Sequence, residues 1–352
     1  MINVGIVGVG FMGMIHYLSY QKVRGIKVTA LCEKGFPHRL TGDWRDIKGN
    51  FGPAGTKMDL SGIDTYTEFD EMLADKSIDL IDVTLPPGLH APIACQALRA
   101  GKHVFSEKPM SLTTAGCCQM RRAAEKAGRM LMVGHVLPFF PEYAKARQLI
   151  ESGRYGKLLG GSFKRVISDP LWLPDFYNPD RIGGPMLDLH IHDAHYIRLL
   201  FGMPTSVSSQ GRMRGEVVEF FHSQFQFDDP SLVVSATSGI INQQGRSFTH
   251  AFEIHLEKAT LLMDFAVIDD EPCQLMPLTV LPHKGKSNTP ALGDGDPLHA
   301  FAAEIKEVAR CVRSGEPSAI LGSALARDAI TLCYKQTESV RKRKPVRITS
   351  PS

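Results

Sequence analysis

The sequence predicts an α/β chain: a doubly wound parallel sheet at the N-terminus, followed by an α+β domain whose sheet is largely antiparallel. Two observations predict it. Short β-rich runs alternate with helical patterns through the first third, as βαβ units do. Beyond about residue 138 the strands lengthen, alternate in polarity and are joined by hairpin-like turns. The expected division is 1–135 and 136–352, and 352 residues with 43% hydrophobic and 22% charged suit two globular domains.

Strands are expected over 2–7, 26–32, 79–85, 103–106 and 130–133, with helices over 12–22, 67–75, 90–100 and 112–127. The last of these stops at Gly128, as at a C-cap glycine. The span 35–64 bears Gly and Pro and exceeds the usual βα connection, so it reads as an added loop near the ligand edge. A helix over 142–152 opens the second domain, and strands follow at 158–168, 216–227, 231–241, 249–257 and 260–265. The segments at 228–231 and 257–260 supply the hairpin turns. A helix begins near Pro297 with Asp296 as N-cap and proline at its first position, and another covers 323–342. The run Arg341-Lys342-Arg343-Lys344 reads as cations favoured at a helix C-terminus rather than as a nucleic-acid patch.

Composition excludes several function classes. A net charge of +3, from 40 basic and 37 acidic residues, sets up no field that implies nucleic acid or membrane. No run of 18 apolar residues suggests a membrane span, and the N-terminus lacks the pattern of an export signal. Seven cysteines form no C-x-x-C and are odd in number, which fits reduced thiols and a cytoplasmic protein.

Gly8-Val9-Gly10-Phe11-Met12-Gly13 follows the first strand and opens a helix. That context suits a dinucleotide: a tight turn, close backbone approach to pyrophosphate, and helix N-terminal amides facing it. Glu33 lies twenty positions after Gly13, where a carboxylate accepts from both adenine-ribose hydroxyls, so NAD is favoured. Lys34 and Arg39 nearby keep NADP possible. Thr84 and Pro86 leave a strand at the carboxyl edge of the sheet and are expected to touch the cofactor. His90 is placed near the same edge, either as a cap or packing group or as a cofactor contact.

Two clusters carry the expected chemistry. Lys108 ends the strand at 103–106 and is held by Pro109, which biases its predecessor to an extended backbone. Glu107 pairs with it or, by strand alternation, points to the opposite side, the favoured reading. The second cluster follows Gly183-Gly184-Pro185. On the helix expected there, Asp188 and His192 are i and i+4 and His195 follows at i+3, all on one face, with His190 well away. A carboxylate one turn before an imidazole fixes its tautomer and stabilises the imidazolium, which suits a general base. A metal site is also conceivable from the histidines, but further ligands are missing and none is assigned. Trp172, Tyr177 and Asn178 mix flat rings with hydrogen-bonding groups, the complement of a sugar, although a loop packed by its own aromatics has the same composition. His135 joins them as an expected substrate contact.

The N-terminal GVGFMG, the Glu107-Lys108-Pro109 tripeptide, Gly134-His135-Val136 and the GGPMLDLHIHD stretch at 183–193 together resemble the Gfo/Idh/MocA family, over most of the chain. The resemblance implies that Lys108, Asp188 and His192 occupy the positions of the family's catalytic lysine, aspartate and histidine. It also implies an N-terminal Rossmann domain, an open-faced C-terminal sheet and assembly as a homodimer or homotetramer. The expected activity is hydride transfer between NAD(P) and a secondary hydroxyl of a pyranose sugar, glycoside or cyclitol. His192 or Lys108 would act as base. Alternatives are glycoside cleavage through transient oxidation and elimination, or a non-catalytic sugar sensor. Pro138, Pro185, His190 and His195 depart from the family pattern on the substrate side.

Overall fold

The computed structural model describes residues 1–349. The chain divides into two compact units. The first comprises Met1–Phe140 and Gly295–Arg327; the second comprises Pro141–Asp294 and the chain from Asp328 onward. The first break between the units falls five residues after the division expected at 135/136. Sequence continuity suggested one C-terminal domain, but residues 295–327 return to pack on the N-terminal sheet layer.

Unit 1 is built from strands β1 (Ile2–Val7), β2 (Ile26–Cys32), β3 (Asp64–Tyr66), β4 (Leu80–Val83), β5 (His103–Glu107) and β6 (Leu131–Gly134). Helices α1 (Phe11–Tyr20), α2 (Phe69–Ala74), α3 (His90–Arg99) and α4 (Thr114–Ala127) alternate with them. All pairings are parallel, in the order β3-β2-β1-β4-β5-β6, the doubly wound dinucleotide-binding order. Strands β1, β4 and β6 are apolar nearly throughout because helices cover both faces. Thr113 caps α4 by accepting from the Gly116 amide, and Gly128 ends it at φ 61°. Strand β3 escaped the sequence reading, being only three residues long with two of them exposed.

Helix α7 (Leu298–Ser314) belongs to this unit by packing. Its residues Ile305, Val308, Ala309 and Cys311 share a core with Val4, Ile6, Met14, Phe105 and Met132. The Val133 amide also donates to the Leu321 carbonyl.

Unit 2 opens with α5 (Pro141–Glu151) and β7 (Leu158–Ser168). After a loop come α6 (Ile191–Phe201) and strands β8 (Ser206–Arg214), β9 (Val217–Gln226), β10 (Val233–Ile241), β11 (Phe248–Leu256), β12 (Ala259–Ile268) and β13 (Glu271–Pro282). Helix α8 (Ser323–Lys342), in this unit from Asp328, and the short β14 (Val346–Arg347) follow. The eight strands run in the order β13-β12-β11-β7-β10-β9-β8-β14, antiparallel except for the β7–β10 pair. Strands β8, β13 and β14 were not foreseen. Most of β13 is solvent-exposed and β8 ends in a polar exposed half, so neither shows the period-two alternation by which the others were read.

Helix α7 starts one residue later than expected, yet the Asp296 carboxylate still accepts from the Leu298 amide at 2.9 Å. The helix expected from residue 185 to 200 begins instead as a π-helical turn, Met186–His190, before α6. No helix among the described residues is long and apolar enough to cross a membrane.

Candidate active site

The glycine turn has the shape its sequence implied. Gly8 adopts φ 97°, and a Cβ on Gly13 would lie 2.2 Å from the Gly8 carbonyl oxygen, so only glycine lets α1 start this close to β1. At Gly10 a Cβ would meet nothing within 4 Å, and Gly10 caps α1 without a side-chain hydrogen bond. Open space at the amide end of a helix fits an anionic pyrophosphate. Phe11 and Met12 are half-buried; the Phe11 ring packs edge-on against Phe51 at 4.8 Å, which ties the long 35–64 loop to this turn. Thr84 reinforces the turn from the neighbouring strand end, donating to the Gly8 carbonyl at 2.7 Å, while Pro86 is exposed.

Glu33 is buried at the end of β2. One carboxylate oxygen accepts from the Val9 amide at 2.7 Å; the other accepts from the Gly35 and Phe36 amides at 2.8 and 3.1 Å. The carboxylate therefore organises its own loop. Arg39 is not loose: it forks onto Asp46 and donates to the Val9 carbonyl at 2.9 Å. Lys34 pairs with Glu68 at the surface.

His90 is buried between two loops of the carboxyl edge, with Nδ1 2.8 Å from the Pro109 carbonyl and Nε2 2.7 Å from the Leu85 carbonyl. Burial pushes its pKa down, outweighing the two carbonyls. Its side chain thus pins two loops of the carboxyl edge together.

Lys108 directly follows β5, and its bond to Pro109 is cis. From Val104 to Leu112 every residue is buried except Lys108. Glu107 points inward, as strand alternation predicts. One of its oxygens meets His16 and the other accepts the Lys108 amide at 3.0 Å.

The same pattern recurs in unit 2. From Gly183 to Ile197 every residue is buried except Asp188 and His192. The π-helical turn holds Asp188, and α6 begins one residue before His192. Such turns are rare and recur at functional sites. His195, expected on the same face, is fully buried, because the change from π to α winding and the packing of α6 on the sheet take that side into the core. His190 is also buried: its Nε2 lies 3.1 Å from Gln336 Oε1, its ring meets Phe221 edge-on, and burial pushes its pKa down to about 4. The neighbouring Asp193 accepts two hydrogen bonds from Arg165 of β7, at 2.7 and 3.2 Å.

The aromatic loop is partly self-contained. Tyr177 donates to Asp169 at 2.8 Å, and Arg214 lies over its ring at 4.0 Å. The Asn178 side chain accepts from the Asp180 amide at 2.9 Å, an Asx turn. Trp172 is 72% exposed. His135 is fully buried in unit 1. No group of His, Cys, Asp and Glu able to hold a metal occurs among the described residues.

Sequence reading missed His16 and Asp193. Neither carries a motif; Asp193 stands in the quoted stretch without a role, and His16 only acquires one when α1 is laid against β4 and β5.

Comparison with known proteins places residues 2–135 in the family described as an oxidoreductase family with an NAD-binding Rossmann fold. Residues 143–262 match the Gfo/Idh/MocA C-terminal domain. An inositol 2-dehydrogenase/D-chiro-inositol 3-dehydrogenase of Lactiplantibacillus plantarum is 33% identical over 45% of this chain and 42% of its own. The chain spans less than half the length of several curated relatives, that one included. A 1,5-anhydro-D-fructose reductase of Ensifer adhaerens is 27% identical over 72% of this chain and 76% of its own. A levoglucosan dehydrogenase solved with NADH and levoglucosan shares the fold, with a TM-score of 0.77 at 20% identity over 99% of both chains.

Proposed function

Since the chain belongs to the Gfo/Idh/MocA oxidoreductase family, we propose that it oxidises a secondary hydroxyl of a pyranose sugar, glycoside or cyclitol to the carbonyl, or reduces that carbonyl in the reverse direction, with Lys108, Asp188 and His192 as the catalytic residues. NAD, when bound, supplies the hydride acceptor. His192 takes the hydroxyl proton, Asp188 orients the imidazole and favours its protonated form, and the Lys108 ammonium stabilises the alkoxide. The single observation that supports this assignment is selective exposure: each of the three interrupts an otherwise buried run. Water access within otherwise packed segments leaves these three side chains able to meet a ligand held by a rigid scaffold.

The substrate class is supported by the names of the inositol and anhydrofructose relatives. An elimination reading that uses His190 and His195 as extra groups near the site finds no support in their burial, which is complete for both. We also propose a homo-oligomer formed through the C-terminal sheet, supported by Leu275, Met276 and Leu281, which stand exposed on β13; light scattering tests it.

The test is a spectrophotometric panel at 340 nm with NAD and NADP against myo-inositol, D-glucose and D-xylose, and with the reduced cofactors against 1,5-anhydro-D-fructose. The proposal expects turnover on at least one, lost by roughly 10² to 10⁴ in His192→Asn and comparably in Lys108→Ala. Full activity in folded Lys108→Ala overturns it.

A further inference from the structure

Unit 1 buries a line of ionisable groups that the proposed chemistry does not touch. His16 of α1 has no exposed surface. Its Nδ1 lies 2.8 Å from Asp82 of β4 and its Nε2 lies 3.0 Å from Glu107 of β5. A ring between two carboxylate acceptors satisfies both only when both nitrogens carry hydrogen, which is the imidazolium. Burial opposes that charge, but the Asp82 carboxylate and the hydrogen bonds to Asp82 and Glu107 outweigh it and hold the ring well above the ordinary imidazole range.

The surroundings leave the ring little freedom. Tyr20 donates to the same Asp82 oxygen at 3.0 Å, and Phe105 stacks on the imidazole at 5.3 Å. Glu304 of α7 completes the cluster, fully buried, its pKa raised well above the carboxylate range by burial and then by the Glu107 charge. Asp82, Glu107, Tyr20 and Glu304 are thus the titratable groups that bear on His16 from α1, β4, β5 and α7.

Glu107 is shared. One oxygen meets His16 and the other holds the backbone amide of Lys108 at 3.0 Å. We propose that His16 is a positioning residue for Lys108: by gripping one oxygen of Glu107 it fixes the other on the Lys108 amide, and so sets the main chain from which the lysine projects. The inference rests on the reading that Lys108 is catalytic, but its structural content is measurable without any substrate.

The experiment follows trinitrobenzenesulfonate modification of each lysine by peptide mass spectrometry, as a function of pH, with exposed Lys34 and Lys57 as internal references. In His16→Leu, the Lys108 rate rises several-fold while the reference rates stay unchanged. His16→Gln, which retains a donor for Glu107, restores most of the wild-type rate. Asp82→Asn serves where His16→Leu fails to fold. It keeps the shape but lowers the ring's hold on its second proton, so the pH at which Lys108 reactivity changes moves downward. A Lys108 profile identical to wild type in folded His16→Leu or in Asp82→Asn overturns the inference. Failure of the catalytic reading shows separately, as retained turnover in Lys108→Ala with the His16 effect on modification intact.

Discussion

Arg165 of β7 and Asp193 of α6, the residue after His192, form a buried two-pronged ion pair, at 2.7 and 3.2 Å. It fastens the start of α6 to the middle of the sheet. Removing one partner leaves an uncompensated buried charge, so Asp193→Ala is expected to destabilise unit 2 by about 3–5 kcal/mol. The double variant Arg165→Met with Asp193→Leu should recover much of that loss. Denaturant unfolding of the three proteins measures both effects.

Glu33 ties its own loop together and presents negative charge at the end of β2. Glu33→Gln is expected to raise the use of NADP relative to NAD, because a 2′-phosphate no longer meets a like charge. It should also weaken both cofactors, since each hydrogen bond to a charged acceptor contributes about 1.5–3 kcal/mol. The ratio of kcat/KM for the two cofactors, with their individual Kd values, checks the pair of outcomes.

Two buried histidines make stability depend on pH in opposite directions. His190 is held at about 4 by burial, below the ordinary 6.5, so the unfolded chain takes up the proton first. Its contribution is a loss of stability as pH falls from about 6.5 toward 4, of order 3 kcal/mol when complete. His16 is raised instead, so its stabilisation is full below 6.5 and disappears as pH rises through its folded value. His190→Gln is expected to flatten the acid side of a melting-temperature profile and leave the alkaline side as it was.

Glu304 folds as a buried acid with a pKa well above its ordinary 4.5. Above 4.5 the unfolded chain ionises while the folded one keeps the proton, so stability falls as pH rises toward the folded value. Glu304→Gln removes that penalty. The variant should gain on wild type by about 1.4 kcal/mol per pH unit within this window, read from urea unfolding as the pH is raised above 4.5.

Local chemistry determined a good part of this protein from its sequence. The Gly8-x-Gly10-x-x-Gly13 turn, the five longer parallel strands, the helix over Ser323–Lys342 and the hairpins after Gln226 and Leu256 all follow from backbone preference and apolar periodicity, which act between near neighbours. The fate of individual side chains did not. That Asp188, His192 and Lys108 alone break buried runs, that His195 and His135 go into the core, and that Glu33 serves its own loop depend on what packs against them from distant parts of the chain. The same holds for His16, whose two carboxylate partners lie 66 and 91 positions away, and for residues 295–327, which return to the first unit. Burial and long-range hydrogen bonding are settled only when the elements assemble, and no nearest-neighbour pattern encodes them.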